Sequence, residues 1–316
     1  MAQVLSRNEV STLIFNLLDS VYEVEGKAVT TFEKFMKVES MDRGQDISYR
    51  IAGFGKHSER DELEAIQYDQ YEFGETQTVN PKNYGTGLRV SEEVVQDLQD
   101  GGTSDPYNKA KLAGFAEVTR RFRRSANWTV DVECANIYLN GTATSAAYVG
   151  RDGLALFSAT HTSLKNPPTT QSNVQTASSL SAVQIQSAIT SLATHVDDTG
   201  APLPISDSYK VMVGPYNMFR IQDILKTKGQ VDSANNNTNP LDNFSITPVI
   251  NQHLGASHKG FYVIDPSVAS TRWLWRLKPT FSKEGDFDAV ALKFRSTFRG
   301  VATTKDWHGQ VGNAGA

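Results

Sequence analysis

Apolar residues first recur at helical spacing: Val10, Leu13, Ile14, Leu17, Leu18 and Val21 fall on one face, with Ser6 and Glu9 forming a capping box ahead of them. The chain therefore opens with an amphipathic helix that breaks at Gly26. On periodicity alone it is either a core helix or an arm that docks on another surface. From Asp46 the period falls to two. Ile47, Tyr49 and Ile51 alternate before a Gly53-Phe54-Gly55 turn, and Tyr68, Tyr71, Phe73 and Val79 return afterwards. Between them, Lys56 to Glu64 reads KHSERDELE, which has almost nothing to bury. The pattern predicts a long hairpin with a polar tip, and a two-stranded ribbon is marginal in water without a further supporting surface.

Ser104-Asp105-Pro106 then supplies a cap and a first-turn proline for a long helix over Tyr107 to Leu139, with Leu112, Phe115, Thr119, Phe122 and Ala126 inward and Asn140-Gly141 as its stop. Beyond Gly141 the texture changes to short alternating elements. These are a helix over Leu180 to Val196 capped by Ser181, a strand over Lys210 to Val213, a helix over Tyr216 to Leu225, and an exposed loop from Lys226 to Asn243. Strands are expected over Phe261 to Ile264, Trp273 to Leu277 and Ala289 to Phe298. The last has an apolar face and a basic face carrying Lys293, Arg295 and Arg299. The Gly-rich tail after Trp307 is expected to be loose. At 316 residues, an α+β chain of this kind divides into two domains.

Charge narrows the partners: 31 Lys and Arg against 35 Asp and Glu give a net charge of -4, so contact with nucleic acid has to be local. The densest basic cluster is Arg120, Arg121, Arg123 and Arg124. It has two readings, solvated charge paired with acids such as Glu117, or sequence-independent contact with phosphates or an acidic partner. Cys134 is the single cysteine, which excludes an intrachain disulfide and fits a reducing cytoplasm. No apolar run approaches the ~20 residues that cross a bilayer, and the Asn127, Asn140, Asn236 and Asn243 sequons read as chance matches. No GxSxG, P-loop, HExxH or GxGxxG motif is present. The glycine pairs Gly53/Gly55 and Gly85/Gly87 read as turns, and Asp197/Asp198 and Asp286/Asp288 as solvated turn carboxylates. His57, His161, His195, His253, His258 and His308 have no local metal-ligand spacing. The expectation is no catalytic residue, no metal and no cofactor.

The order of elements, an N-terminal helical arm, a charged hairpin, a long helix and a mixed α/β region ending in strands, resembles the tailed-phage major capsid protein of the Hong Kong 97 type. The segments DGLALFS at Asp152 to Ser158 with Thr160-His161, Leu180-Ser181, DDTGAPL at Asp197 to Leu203 and YKVMVGP at Tyr209 to Pro215 are similar to the major head subunit of Mu-like phages. The resemblance implies residues 1–41 as an N-terminal arm, 42–78 as an extended hairpin loop and 79–149 as a peripheral domain with the spine helix. It further implies 150–278 as an axial domain, and 279–316 as C-terminal strands of the peripheral domain with a tail. It implies self-assembly into pentamers and hexamers around double-stranded DNA, with a scaffolding protein, a portal and an external decoration protein as further partners and no membrane. The intersubunit residues would be Lys56, Glu59, Arg60, Asp61, Glu62 and Glu64 on the hairpin and Val10, Leu13, Ile14, Leu17, Leu18 and Val21 on the arm. Some relatives crosslink a hairpin lysine; Lys56 is in place, without an identifiable acceptor. An encapsulin-like nanocompartment shell would share the fold and enclose enzymes instead of a genome. A hydrolase is the alternative from another class, resting only on scattered His, Asp and Ser residues.

Overall fold

The structure, a computed structural model, describes residues 7–27, 30–66, 68–91, 93, 106–145, 148–164, 168–227, 239–286 and 291–316. The first helix forms as α1 (Arg7–Gly26). Its inward stripe packs on its own chain: Phe15 and Tyr22 stack on Phe281 at 5.6 and 5.2 Å, and Leu18 is buried with Val90 and Phe294. Leu18, expected on a face turned to another subunit, is thus already covered at 2% exposure, because Phe15, Leu18 and Tyr22 share one helical side. Val21 is half-buried, while Ser6 and the side chains of Val10, Leu13, Ile14 and Leu17 lie outside the described residues.

The long helix forms as α2 (Pro106–Leu139). Ser104, Asp105 and the side chain of Leu112 lie outside the described residues, but Phe115, Thr119, Phe122 and Ala126 do turn inward, and the stripe continues through Val130, Cys134, Ile137 and Tyr138. α1 and α2 lie on a four-stranded sheet of order β1 (Lys37–Ser40), β11 (Thr271–Asp286), β12 (Ala291–Thr304) and β4 (Lys82–Ser91). β12 shows the expected two faces, with Phe294, Ser296 and Phe298 buried and Lys293, Arg295 and Arg299 exposed; Ala289 and Val290 lie outside the described residues. Gly85 and Gly87 do not form a turn. They lie inside β4, opposite Thr297 and Arg295, where the ladder to β12 holds a segment whose missing side chains hid its strand character.

A second sheet has the order β7 (Val174–Gln175), β13 (Gln310–Asn313), β10 (Phe261–Ile264), β8 (Ser208–Val213) and β9 (Ser245–Ile250). On one face, Ile185, Ile189 and Leu192 of α3 (Ala182–Thr194) and Ile221 and Ile224 of α4 (Met218–Lys226) cover Val211, Val213, Phe261, Val263 and Val311. Ser181 caps α3 as expected, its side chain accepting from the Gln184 amide. On the other face, Met212, Tyr262 and Ile264 join Tyr138 and Phe157 in the main core. Central strands covered on both sides explain the unbroken apolar runs of β8 and β10. Of the expected loop from Lys226 to Asn243, residues 228–238 lie outside the described residues and Pro240–Asn243 forms a 3-10 turn.

The tail corrects the sequence reading. Trp307 to Asn313 are all buried, and β13 runs between β7 and β10 instead of hanging loose beside the first sheet. Its residues are not apolar enough to advertise a core strand: Gln310 and Asn313 are both buried and paired in the ladder, and the Asn313 amide also donates to the Thr176 carbonyl and the Ser178 hydroxyl at 3.0 Å each. Two glycines make the fit. Gly309 has φ +74°, and a Cβ there would lie 2.6 Å from the Ala269 nitrogen; at Gly312 it would lie 2.9 Å from Phe157. Gly309→Ala should therefore lower the free energy of unfolding by about 2 kcal/mol, from the positive φ and the backbone clash together. Urea denaturation of the two proteins checks this, and an unchanged midpoint would mean that the last strand does not clamp the second sheet.

Candidate functional site

The expected hairpin forms as β2 (Asp46–Ala52) paired antiparallel with β3 (Glu72–Val79). Its two faces are inverted. Ile47, Tyr49, Ile51 and Phe73 point to solvent at 50%, 56%, 50% and 66% exposure, while Arg50 and Gln77 turn toward the body. Ile51 stands opposite Phe73, whose ring meets Tyr71 edge-on at 5.1 Å. Phe54, Ile66 and Tyr68 extend this exposed apolar surface toward the tip. Lys56, Glu59, Arg60, Asp61, Glu62 and Glu64 are all exposed on the tip. There the Arg60 guanidinium donates to the Glu64 carbonyl at 2.5 Å, and the Glu64 carboxylate accepts from the Asp61 amide at 3.0 Å.

The inner face is held by polar bonds. The Arg50 guanidinium, almost wholly buried, reaches Asp198 at 2.6 Å and also donates to the Thr162 carbonyl. The Gln77 amide donates to the carbonyls of Val149 at 2.7 Å and Thr304 at 3.0 Å, and Arg151 donates to the Tyr49 carbonyl at 2.8 Å. At the ribbon's base, buried Arg272 pairs with Asp46 and with Glu39, the latter at 2.7 Å. Asp198 is thus no solvated turn carboxylate: the arginine carried in on β2 covers it. Asp197 keeps a turn role, accepting from the amides of Thr199 at 2.8 Å and Ala201 at 2.9 Å.

Behind Arg50 lies a cluster that local spacing did not reveal. His161, His195 and His308, far apart in sequence, surround the Trp307 indole at ring distances of 4.4, 4.8 and 4.0 Å. His161 Nδ1 lies 2.5 Å from Asp152, and His308 Nδ1 lies 2.8 Å from Asp306, which also receives Arg151 at 3.0 Å. Burial works to raise the Asp306 pKa, but the bond and charge of His308, then Arg151 and the Trp307 amide, outweigh it and hold the group at about 2. The same pair raises His308 against the effect of its own burial. His195 moves the other way. Burial pushes it down to about 4 against the pull of the Ser172 carbonyl, and the charges of His308 and His161 add to the depression. His57 is exposed at the tip, and His253 and His258 lie outside this cluster. Among the described residues no group of three or more His, Cys, Asp or Glu has a metal-binding arrangement.

The arginine cluster on α2 is largely engaged. Arg120 and Arg121 share Glu117 at 3.3 and 3.2 Å, and Arg124 reaches Glu25 of α1 at 2.5 Å. Arg123 lies 5.1 Å from the centre of the Tyr22 ring. These contacts follow the paired-charge reading. Arg123 and Arg124 join α1 to α2, Arg120 and Arg121 pair within α2, and exposed pairs of this kind add little stability each. Cys134 is buried in α2, and burial pushes its thiol well above the ordinary range.

The histidine cluster sets a pH dependence. His195 is depressed in the folded chain relative to its ordinary value of 6.5, so the unfolded chain binds the proton more readily. Stability from this group is fully present above pH ~6.5 and is lost as pH falls toward ~4, by about 3 kcal/mol in all. His308, raised by Asp306, contributes the opposite trend above neutrality. Denaturation between pH 7 and pH 4 should show the acid loss, and His195→Gln should remove most of it; the same slope in both proteins would contradict this assignment.

Residues 74–313 match the family model described as phage capsid protein. No curated protein matches the chain. Among solved structures, the mature capsid subunit of bacteriophage PhiM1 superposes with a TM-score of 0.57 at 12% identity, over 90% of this chain and 87% of that one. The procapsid subunit of bacteriophage JBD30 gives 0.52 at 13% identity over 99% and 77%, and the capsid of cyanophage P-SCSP1u gives 0.51 at 10% identity over 91% and 88%. These likenesses establish the expected α+β Hong Kong 97-type fold, and the family match, which spans most of the sequence, sets the hydrolase alternative aside. The chain belongs to the phage capsid protein family, as a structural, non-enzymatic subunit that self-assembles into the virion shell.

Proposed function

We propose that the outward apolar face of the hairpin, Ile47, Tyr49, Ile51 and Phe73, is the surface by which one copy of this major capsid protein grips the next. The observation that carries this is the inverted ribbon. A hairpin usually turns its apolar side to its own core, whereas here the polar side is bonded inward and the large apolar residues are left uncovered. Covering that face with a neighbour repeats a heterologous contact that closes into pentamers and hexamers of an icosahedral shell. The charged tip, Lys56, Glu59, Arg60, Asp61, Glu62 and Glu64, selects register and partner at the rim. The uncovered part of α1 contributes a second contact.

The finer assignment is to the major head subunits of Mu-like phages, supported by the DGLALFS, DDTGAPL and YKVMVGP segments. In that reading the hairpin, residues 42–78, projects from a peripheral domain built on α2 and the four-stranded sheet, and residues 150–278 form the axial domain, which β13 completes. The shell assembles in the host cytoplasm around double-stranded DNA with a scaffolding protein and a portal, and a decoration protein binds outside. Arg121 and Arg124, the most exposed of the α2 arginines at 76% and 61%, are the members of the cluster best placed to meet DNA or scaffold.

Changing Ile47, Tyr49, Ile51 and Phe73 together to Ser should leave the subunit's melting temperature within a few degrees, since each is half or more exposed. Shell formation seen by electron microscopy should fail. Normal shells from this variant would refute the hairpin as the gripping surface. Reversing Glu59, Asp61, Glu62 and Glu64 to Lys should weaken assembly in a salt-dependent manner without unfolding the subunit.

A further inference from the structure

The cluster around Trp307 joins several of the segments that anchor the hairpin. Arg50 enters from β2, Arg151, Asp152 and His161 come from the segment after α2, His195 and Asp198 follow α3, and Asp306 and His308 follow β12. The exposures of His161, His195 and Trp307 are 0%, 3% and 2%, so a charge gained here is gained away from water.

Hydrogen-bond geometry assigns the protons. Both His308 nitrogens face acceptors, Nδ1 at Asp306 and Nε2 at the Val196 carbonyl at 3.0 Å, so this ring carries two protons and a positive charge. His195 Nε2 lies 3.2 Å from the Ser172 carbonyl and donates to it, which leaves Nδ1 bare and the ring neutral. Among the described residues, neither His195 Nδ1 nor His161 Nε2 has a hydrogen-bond partner. A second proton on His195 would put a cation against the Trp307 ring that the charged His308 already contacts, with no acceptor for it. The other charges facing this place are accounted for. Asp306 is taken by His308 and Arg151, Asp152 by His161, Asp197 by its turn, and Glu75 of the hairpin stands 3.7 Å from Arg50 on the outer side. Asp198, three residues beyond His195, is the carboxylate on which Arg50 depends.

We infer that this cluster is a proton-operated latch: protonating His195 pries apart the packing around Trp307, draws Asp198 away from Arg50, and frees the hairpin's inner face from the body. The ribbon is well suited to such release. Its attachments at Arg50, Gln77 and Arg151 are polar bonds that water can replace, and the apolar contacts on its inner side are small, Ala52 and, at the base, Val79 against Met41, Leu274 and Val301.

Amide exchange of the full-length chain, at concentrations where it is monomeric, tests the latch. After correction for intrinsic rates, lowering the pH from 7 to 5 should speed exchange in β2 and β3 about twentyfold, from the proton linkage of one histidine, while β11 and β12 stay protected. In His195→Gln, whose amide can still donate to the Ser172 carbonyl, the two pH values should give the same hairpin exchange. Asp198→Asn gives a second reading: its hairpin should already exchange fast at pH 7 and change little at pH 5. Unchanged hairpin exchange in the parent chain, an equal rise in β11 and β12, or full pH sensitivity in His195→Gln would each overturn the proposal, as would an Asp198→Asn hairpin still protected at pH 7.

Discussion

A guanidinium buried on the inner side of a two-stranded ribbon decides how this subunit presents itself. Arg50 has to meet a carboxylate, because removing one partner of a buried pair leaves a desolvated charge at a cost of several kcal/mol. Asp198 supplies it from the loop after α3, and the bond fixes which face of β2 turns inward. With a period of two, the choice for Arg50 is the choice for the whole strand: Ile47, Tyr49 and Ile51 are sent outward together. A subunit that clamps its hairpin by charge and leaves its apolar face open is incomplete alone. That incompleteness suits a protein whose working state is a shell of copies.

The same region ties the halves of the molecule together. The Arg50–Asp198 and Gln77 bonds join the hairpin to loops between the two sheets, Arg272 joins its base to β1 and β11, and the segment after β12 delivers Asp306, Trp307 and His308 before β13 enters the second sheet. This stretch thus supplies a wall of the histidine cluster and, directly after it, the strand that closes the second sheet. Packing around Gly309 and Gly312 makes this fit intolerant of even a methyl group.

Elements with a local signature were legible. The period of 3.6 in α1 and α2, the Ser181 cap and the alternation in β2 and β12 are written in neighbouring residues, and they foretold the helices, the hairpin and the basic sheet face. What the sequence hid depends on residues far apart. β4 contains Gly85 and Gly87 and is held by β12; β13 contains Gln310, Gly312 and Asn313 and is held by strands on both sides. The three histidines share no motif because they meet around Trp307 only in the folded chain. Even the hairpin's alternation was ambiguous in one respect: it showed that the two faces differ, but only the Asp198 contact tells which one turns inward.

On the proposed function, a neighbouring copy covers the hairpin's open apolar face. Hydrogen exchange measured on the same protein as isolated subunits and as assembled shells addresses it directly. The hairpin amides, 46–52 and 72–79, should carry in the subunit only the protection of a latched two-stranded ladder, and exchange far more slowly in the shell under the same conditions. Equal protection in the two states would show that the ribbon's stability comes from its own chain, and that neighbouring copies do not grip one another through this face.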